Sequence, residues 1–94
     1  MSAYLVIEVA PSDLEKFGEY ERGTVPIVAQ FGGVPVARDA APMPVERDHK
    51  PALGVILRFP DKQAVRDYFD SAEYAPLRAF RQSFATASAL VIED

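Results

Sequence analysis

Phe59-Pro60-Asp61-Lys62-Gln63-Ala64-Val65-Arg66-Asp67-Tyr68-Phe69-Asp70-Ser71-Ala72-Glu73-Tyr74-Ala75-Pro76-Leu77-Arg78 is the stretch from which the fold is read. It begins at the end of a strongly apolar run, Ala52 to Phe59, which reads as a strand. Pro60-Asp61 then starts a helix that carries Ala64, Val65, Tyr68 and Phe69 on one face. That helix breaks near Ser71. A further turn or two holds Tyr74, Leu77, Phe80 and Phe84, and a last strand is expected from Ser88 to Glu93. The stretch contains no nucleophile motif, metal cluster or phosphate loop, so it speaks to architecture before chemistry.

Working back toward the N-terminus, Tyr4 to Val9 alternates little and is rich in Val, Ile and Leu, the pattern of a strand buried on both faces. Ser12-x-x-Glu15 has the form of a capping box at the head of a helix bearing Leu14, Phe17, Val25 and Val28 at helical spacing. Pro26 should kink that helix by removing the hydrogen bond to the Arg22 carbonyl. Gly32-Gly33 should end it. Val34 to Asp39 reads as a strand that Pro35 confines to a sheet edge, and a loop with Pro42, Pro44 and Pro51 follows. The order strand, helix, strand, strand, helix, strand is the split βαβ plan, a ferredoxin-like α+β fold (βαββαβ) with an antiparallel four-stranded sheet. Helices take one sheet face. The central strands look apolar on both sides, so the other face is expected to meet a second sheet in a homodimer.

At 94 residues the chain reads as a single domain, 1–94, and folding a chain of this size hides only roughly 64% of its unfolded surface. Cysteine is absent, so no disulfide supplements the thin core. A formal net charge of −4 opposes a nucleic-acid partner. The short apolar segment Ala3 to Ala10 carries Glu8 and lacks a basic leader, and no window approaches membrane-spanning length. Neither a targeting segment nor a membrane partner is expected, and the expected location is cytoplasmic.

The chain resembles, over nearly its whole length, the bacterial family catalogued as domain of unknown function 1330, within the dimeric α/β barrel superfamily. The residues that carry the resemblance are Tyr4, Tyr20, Val25-Pro26, Gly32-Gly33, Arg38, Glu46, the strand-end Phe59-Pro60 and Ser71-x-Glu73-Tyr74. His49 stands where relatives often carry Trp, Arg58 where an acidic residue is common, and Ala72 where Pro is common. The resemblance implies two ferredoxin-like subunits packing their sheets face to face. The superfamily includes cofactor-independent monooxygenases, isomerases and haem enzymes, so the fold offers reactions without choosing among them.

His49, the only histidine, is the natural candidate for moving a proton near neutrality, although a loop histidine between Asp48 and Lys50 is ordinarily solvated. Asp39, Glu46 and Asp48 could join it around a metal, but no spacing matches a defined metal motif and none is expected. Glu21 falls inside the apolar stripe of the first helix, where a carboxylate would be a general base or, with the helix kinked at Pro26, an edge residue. Arg38 could pair with Glu46 or Asp48, or hold a small anion with His49. Arg78 and Arg81 share a helical face with Tyr74 and could clamp a carboxylate-bearing ligand, with surface solvation the ordinary alternative. Tyr20, Tyr68, Phe69 and Phe80 could line an aromatic cavity or simply pack a core. Arg58 should not pair with Glu8, because antiparallel order sets those strand ends apart.

Two function classes follow. In the first, the protein is a cofactor-independent oxygenase or isomerase acting on a small aromatic or carbonyl compound. His49 or Glu21 would move the proton, Arg38 would stabilise developing negative charge, and Tyr20, Tyr68, Tyr74 and Arg78 would bind the ligand. In the second, it is a noncatalytic small-ligand-binding or dimerisation/accessory module. No cofactor is expected; haem would need His49 as its sole imidazole ligand.

Overall fold

The computed structural model describes residues 2–46 and 52–94. Its elements are β1 (Ala3–Pro11), α1 (Leu14–Gln30), β2 (Val34–Asp39), β3 (Leu53–Phe59), α2 (Lys62–Phe69), α3 (Ala75–Gln82) and β4 (Ala85–Glu93). All pairings are antiparallel, and the four strands lie in the order β2-β3-β1-β4. This is the ferredoxin-like topology expected from the sequence, with the proline-bearing strand at an edge. Arg58 lies opposite Tyr4, whereas Glu8 lies opposite Gly54, so the two charges are held apart along the strands.

Strand pleating divides the sheet into two chemically different faces. On β1 the odd-numbered Ala3 and Leu5 are buried in a cluster with Val28, Phe59, Val65, Tyr68 and Tyr74, beneath the helices. A second cluster gathers Val9, Phe17, Leu53 and Phe84. The even-numbered Tyr4 and Val6 point the other way. Val6 is flanked by Ile56 and Leu90, and Leu90 and Ile92 are more than half exposed at 57% and 55%. No described helix covers this outer face.

The ends of α1 are set by local chemistry, though not by the expected capping box. The Asp13 carboxylate accepts from the Lys16 amide at 3.0 Å and is the N-cap. Ser12 is otherwise engaged: its amide and its hydroxyl both donate to the Phe84 carbonyl, at 2.7 and 2.8 Å, closing the end of the β1–β4 ladder. These bonds, 72 residues apart in sequence, hold Ser12 at the end of the sheet, and the cap position falls to Asp13. Pro26 lies inside α1 without ending it. Gly32, at φ +81°, terminates the helix, with Gly32 donating to Ala29 at 3.0 Å and Gly33 to Val28 at 2.8 Å. That is the bonding pattern of a Schellman motif. Asp61 caps α2 by accepting from Ala64 at 2.8 Å. Strand β4 begins at Ala85, three residues before the expected Ser88, because Ala85 to Ala87 continue the pairing with β1 as far as Pro11.

One irregularity in β2 governs the site. Pro35 pairs with Leu57 and Ala37 with Ile56, so Val36 is an extra residue bulged from the ladder. Arg38 consequently lies opposite Val55, on the helix-side face with Pro35. In an unbroken pleat, residues 35 and 38 would face opposite ways.

Candidate functional site

Between the helices and the sheet lies a cleft of about 900 Å³, inside the range of small-molecule sites. Its apolar wall includes Leu5 and Ile7 of β1, Val55 and Leu57 of β3, and Val25 of α1. Along β4 it is bordered by Ala87 and Ala89, both exposed. These positions pair with Val9 and Ile7 on the helix-facing side. Methyl groups there leave space that larger side chains would fill.

Three tyrosines from different elements meet at this cleft. Tyr20 comes from α1, Tyr68 from α2, and Tyr74 from the residue preceding α3. The Tyr20 and Tyr74 hydroxyls are 2.7 Å apart and hydrogen-bonded. Rings 68 and 74 pack at a centroid distance of 4.6 Å, and rings 20 and 74 at 6.4 Å in an edge arrangement. The two hydroxyls of the bonded pair carry two protons, and their mutual bond uses one. The Tyr68 hydroxyl also interacts with both members of the pair, so a ligand acceptor would compete with it for the other O–H. Ser71 places Tyr74 by accepting from its amide at 3.1 Å while donating to the Tyr68 carbonyl at 2.8 Å.

Burial is the main cause raising the Tyr20 and Tyr68 phenols well above their ordinary value of 10.0; the neighbouring Tyr74 adds to it, and the Arg81 charge partly opposes it. Both hydroxyls therefore stay protonated at neutral pH and serve as hydrogen-bonding groups, not as bases. The folded state retains protons that the unfolded chain releases near pH 10, so stability from these groups is present below that pH and declines as pH rises above it. Urea unfolding followed by circular dichroism should show this alkaline loss, and Tyr20→Phe should show a shallower one. An unchanged slope in Tyr20→Phe would contradict the assignment to Tyr20.

Glu21 and Arg38 form the second polar group. Arg38 donates through Nε and Nη2 to the two Glu21 carboxylate oxygens, each at 2.9 Å. This bidentate bond raises the guanidinium above its already high ordinary value. The partner is Glu21 and not Glu46, which is exposed, because the bulge at Val36 turns Arg38 toward α1. The pair lines both the main cleft and a smaller one beside Leu14 and Gly18. The bidentate contact presents carboxylate and guanidinium to the cleft as one unit.

Of the residues singled out from sequence, the cleft thus brings together the three tyrosines and Phe69, the Glu21–Arg38 pair, and Arg78 with Arg81. Phe80 instead packs on Phe84 at 5.0 Å in the second core cluster. His49 and Asp48 lie outside the described residues. Among the described residues no group of three or more His, Asp or Glu side chains gathers where it could hold a metal ion. Lys62, Arg66 and the small side chains of β4 also border the cleft, although sequence reading assigned them no role. Their one visible signal was the alternation Ala85, Ala87, Ala89 in a strand otherwise ending Leu-Val-Ile.

Residues 2–94 match the family described as Domain of unknown function (DUF1330). No curated protein matches the sequence. Among solved structures, the chain is similar to the RPA0582 protein of unknown function from Rhodopseudomonas palustris (TM-score 0.85, 14% identity, 99% of this chain and 82% of that one). It is also similar to a dimeric ferredoxin-like protein of unknown function from Jannaschia sp. CCS1 (TM-score 0.76, 12% identity, 100% of both chains). A third similarity is to SnoaB, a cofactor-independent oxygenase from Streptomyces nogalater (TM-score 0.74, 16% identity, 99% of this chain and 92% of that one). At these identities the likenesses establish the fold.

Proposed function

This chain belongs to the DUF1330 family, and we propose that it is a homodimer in which each protomer binds a small, largely apolar organic molecule in its helix–sheet cleft. The observation that carries the reading is the convergence of Tyr20, Tyr68 and Tyr74 on a cleft of about 900 Å³, with a hydrogen-bonded hydroxyl pair at 2.7 Å. Apolar walls would supply affinity and the remaining phenol O–H would fix orientation. The outer sheet face supports the dimer: Val6, Ile56, Leu90 and Ile92 form an apolar surface whose burial needs a second sheet. Two neighbours in fold are described as dimeric.

The catalytic form of this reading is a cofactor-independent oxygenase or isomerase acting on a small aromatic or carbonyl compound. It is supported by the likeness in fold to SnoaB and by the placement of Glu21 and Arg38 on the cleft wall. In it Glu21 accepts a substrate proton, and Arg38 faces the developing negative charge. His49 is the other candidate for the proton.

The test is a panel of small aromatic and carbonyl compounds screened by thermal shift and ligand-observed NMR, with product analysis under air. Saturable binding is expected, and it should be lost in Ala89→Trp, which fills the cleft. Retained binding in a folded Ala89→Trp protein would place the ligand elsewhere. Binding without product formation would leave the noncatalytic module as the function.

A further inference from the structure

The charged side chains of the cleft are strongly biased toward one sign. The chain has a formal net charge of −4, yet Lys62, Arg66, Arg78 and Arg81 all border the cleft, in addition to the Arg38–Glu21 pair. Glu21 is the only carboxylate among the described lining residues, and both its oxygens are taken by Arg38. Arg78 and Arg81 form no ion pair with any described carboxylate. The remaining lining charge is therefore positive.

Helix geometry concentrates that charge beside the phenols. Tyr74, Arg78 and Arg81 stand at i, i+4 and i+7, so they share one face of α3 and its leading residue. Arg81 is half-buried. It lies close enough to Tyr20 and Tyr68 for its charge to act on both. Across the cleft, Ala87 and Ala89 offer only methyl groups.

From this arrangement we infer that the molecule taken by the cleft is an apolar organic acid, its carboxylate held by Arg81 and Arg78 with a phenol O–H of the Tyr20–Tyr74 pair, and its hydrocarbon body against Ala87 and Ala89. The inference deepens the ligand-binding reading above and rests on it. A carboxylate fits this group because a guanidinium and a neutral phenol both donate to it, and neither can satisfy a cation. The hydrocarbon body excludes water from the contact and so strengthens it.

The test uses three matched probes: 2-naphthoate, 2-naphthamide and 2-naphthylmethylammonium, titrated calorimetrically into the full chain. The expected order is carboxylate over amide by about tenfold to a hundredfold, as for hydrogen bonds to a charged group, with the ammonium weakest. Added salt should narrow the gap between carboxylate and amide. Arg81→Met should reduce carboxylate affinity to that of the amide, while Arg81→Lys should keep part of the preference. Equal binding of carboxylate and amide at one per protomer would overturn the anion inference and leave the cleft reading standing. Preference for the ammonium would do the same. If none of the three binds to folded protein, both readings fall. Should Arg81→Met fail to fold, the probe series on the native chain still decides.

Discussion

Gly33→Ala is expected to destabilise the protein by about 3 kcal/mol, the upper part of the usual range for overpacking a core, and so to lower the melting temperature by roughly 12–24 °C in a domain of this size. The cause is contact, not backbone angle. A Cβ on Gly33 would sit 2.5 Å from Val28 Cγ1 and 2.8 and 2.9 Å from two ring carbons of Phe59. Neither neighbour can retreat easily. Val28 and Phe59 are 6% and 1% exposed, and Phe59 also packs against Tyr68 at 5.7 Å. The Gly33 amide is meanwhile held by Val28 at 2.8 Å in the turn that ends α1. Relief would have to come from moving α1 away from β3, which opens the core cluster that both share. Gly18→Ala supplies the contrast: its Cβ meets only Arg22 Nη1, at 3.4 Å, and alanine should stabilise α1 by about 0.5–1 kcal/mol. Thermal unfolding of both variants checks the pair, and a Gly33→Ala protein melting within a few degrees of the native chain would refute the packing argument.

Val6→Asp should abolish the proposed dimer. Val6 is at the centre of the outer face, between Ile56 on one side and Leu90 on the other. In a face-to-face pairing its carboxylate would be enclosed between two sheets, and a two-fold axis would place a second one nearby. Burying an unpaired charge costs several kcal/mol even after relaxation. A loss of about 4 kcal/mol in association would weaken it roughly a thousandfold. In the monomer the same position borders solvent, so the fold should persist. Sedimentation of the native chain at micromolar concentration should give the mass of two protomers. Val6→Asp should give one, with far-ultraviolet circular dichroism retained. A Val6→Asp dimer would show that the copies associate through another surface.

The sequence made the architecture readable because β1 and β3 are dense in branched apolar residues and Pro35 marks an edge strand. The start of β4 escaped notice for a complementary reason. Ala85-Thr86-Ala87-Ser88 has little strand character of its own and is extended because β1 runs alongside it. Ser12 and Asp13 show the same limit on a smaller scale. Both suit a helix cap, and the choice between them is made by the Phe84 carbonyl.

At the site, the aromatic and arginine candidates were visible as residue types at helical spacing. Their partners were not. Tyr20 and Tyr74 bond across 54 residues, and no local pattern announces such a pair. Glu21 looked misplaced on an apolar stripe because its partner comes from a strand whose sidedness changes midway. Simple alternation assigns Arg38 to the wrong face.

That change of sidedness makes β2 a strand with a reading frame. Upstream of Val36 one parity faces the helices, and downstream the other does. Were the bulge ironed out with its residue kept, Val36 would take the place opposite Ile56, Ala37 that opposite Val55, and Arg38 that opposite Gly54 on the outer face, leaving Glu21 without its guanidinium. Deleting Val36 would instead leave Pro35, Ala37 and Arg38 opposite Leu57, Ile56 and Val55 in plain alternation, with Arg38 still facing the helices. The frame downstream is thus held by one surplus residue that stays out of the ladder. Its exclusion from the pairing is as much a part of the site's specification as the identity of the side chains it positions.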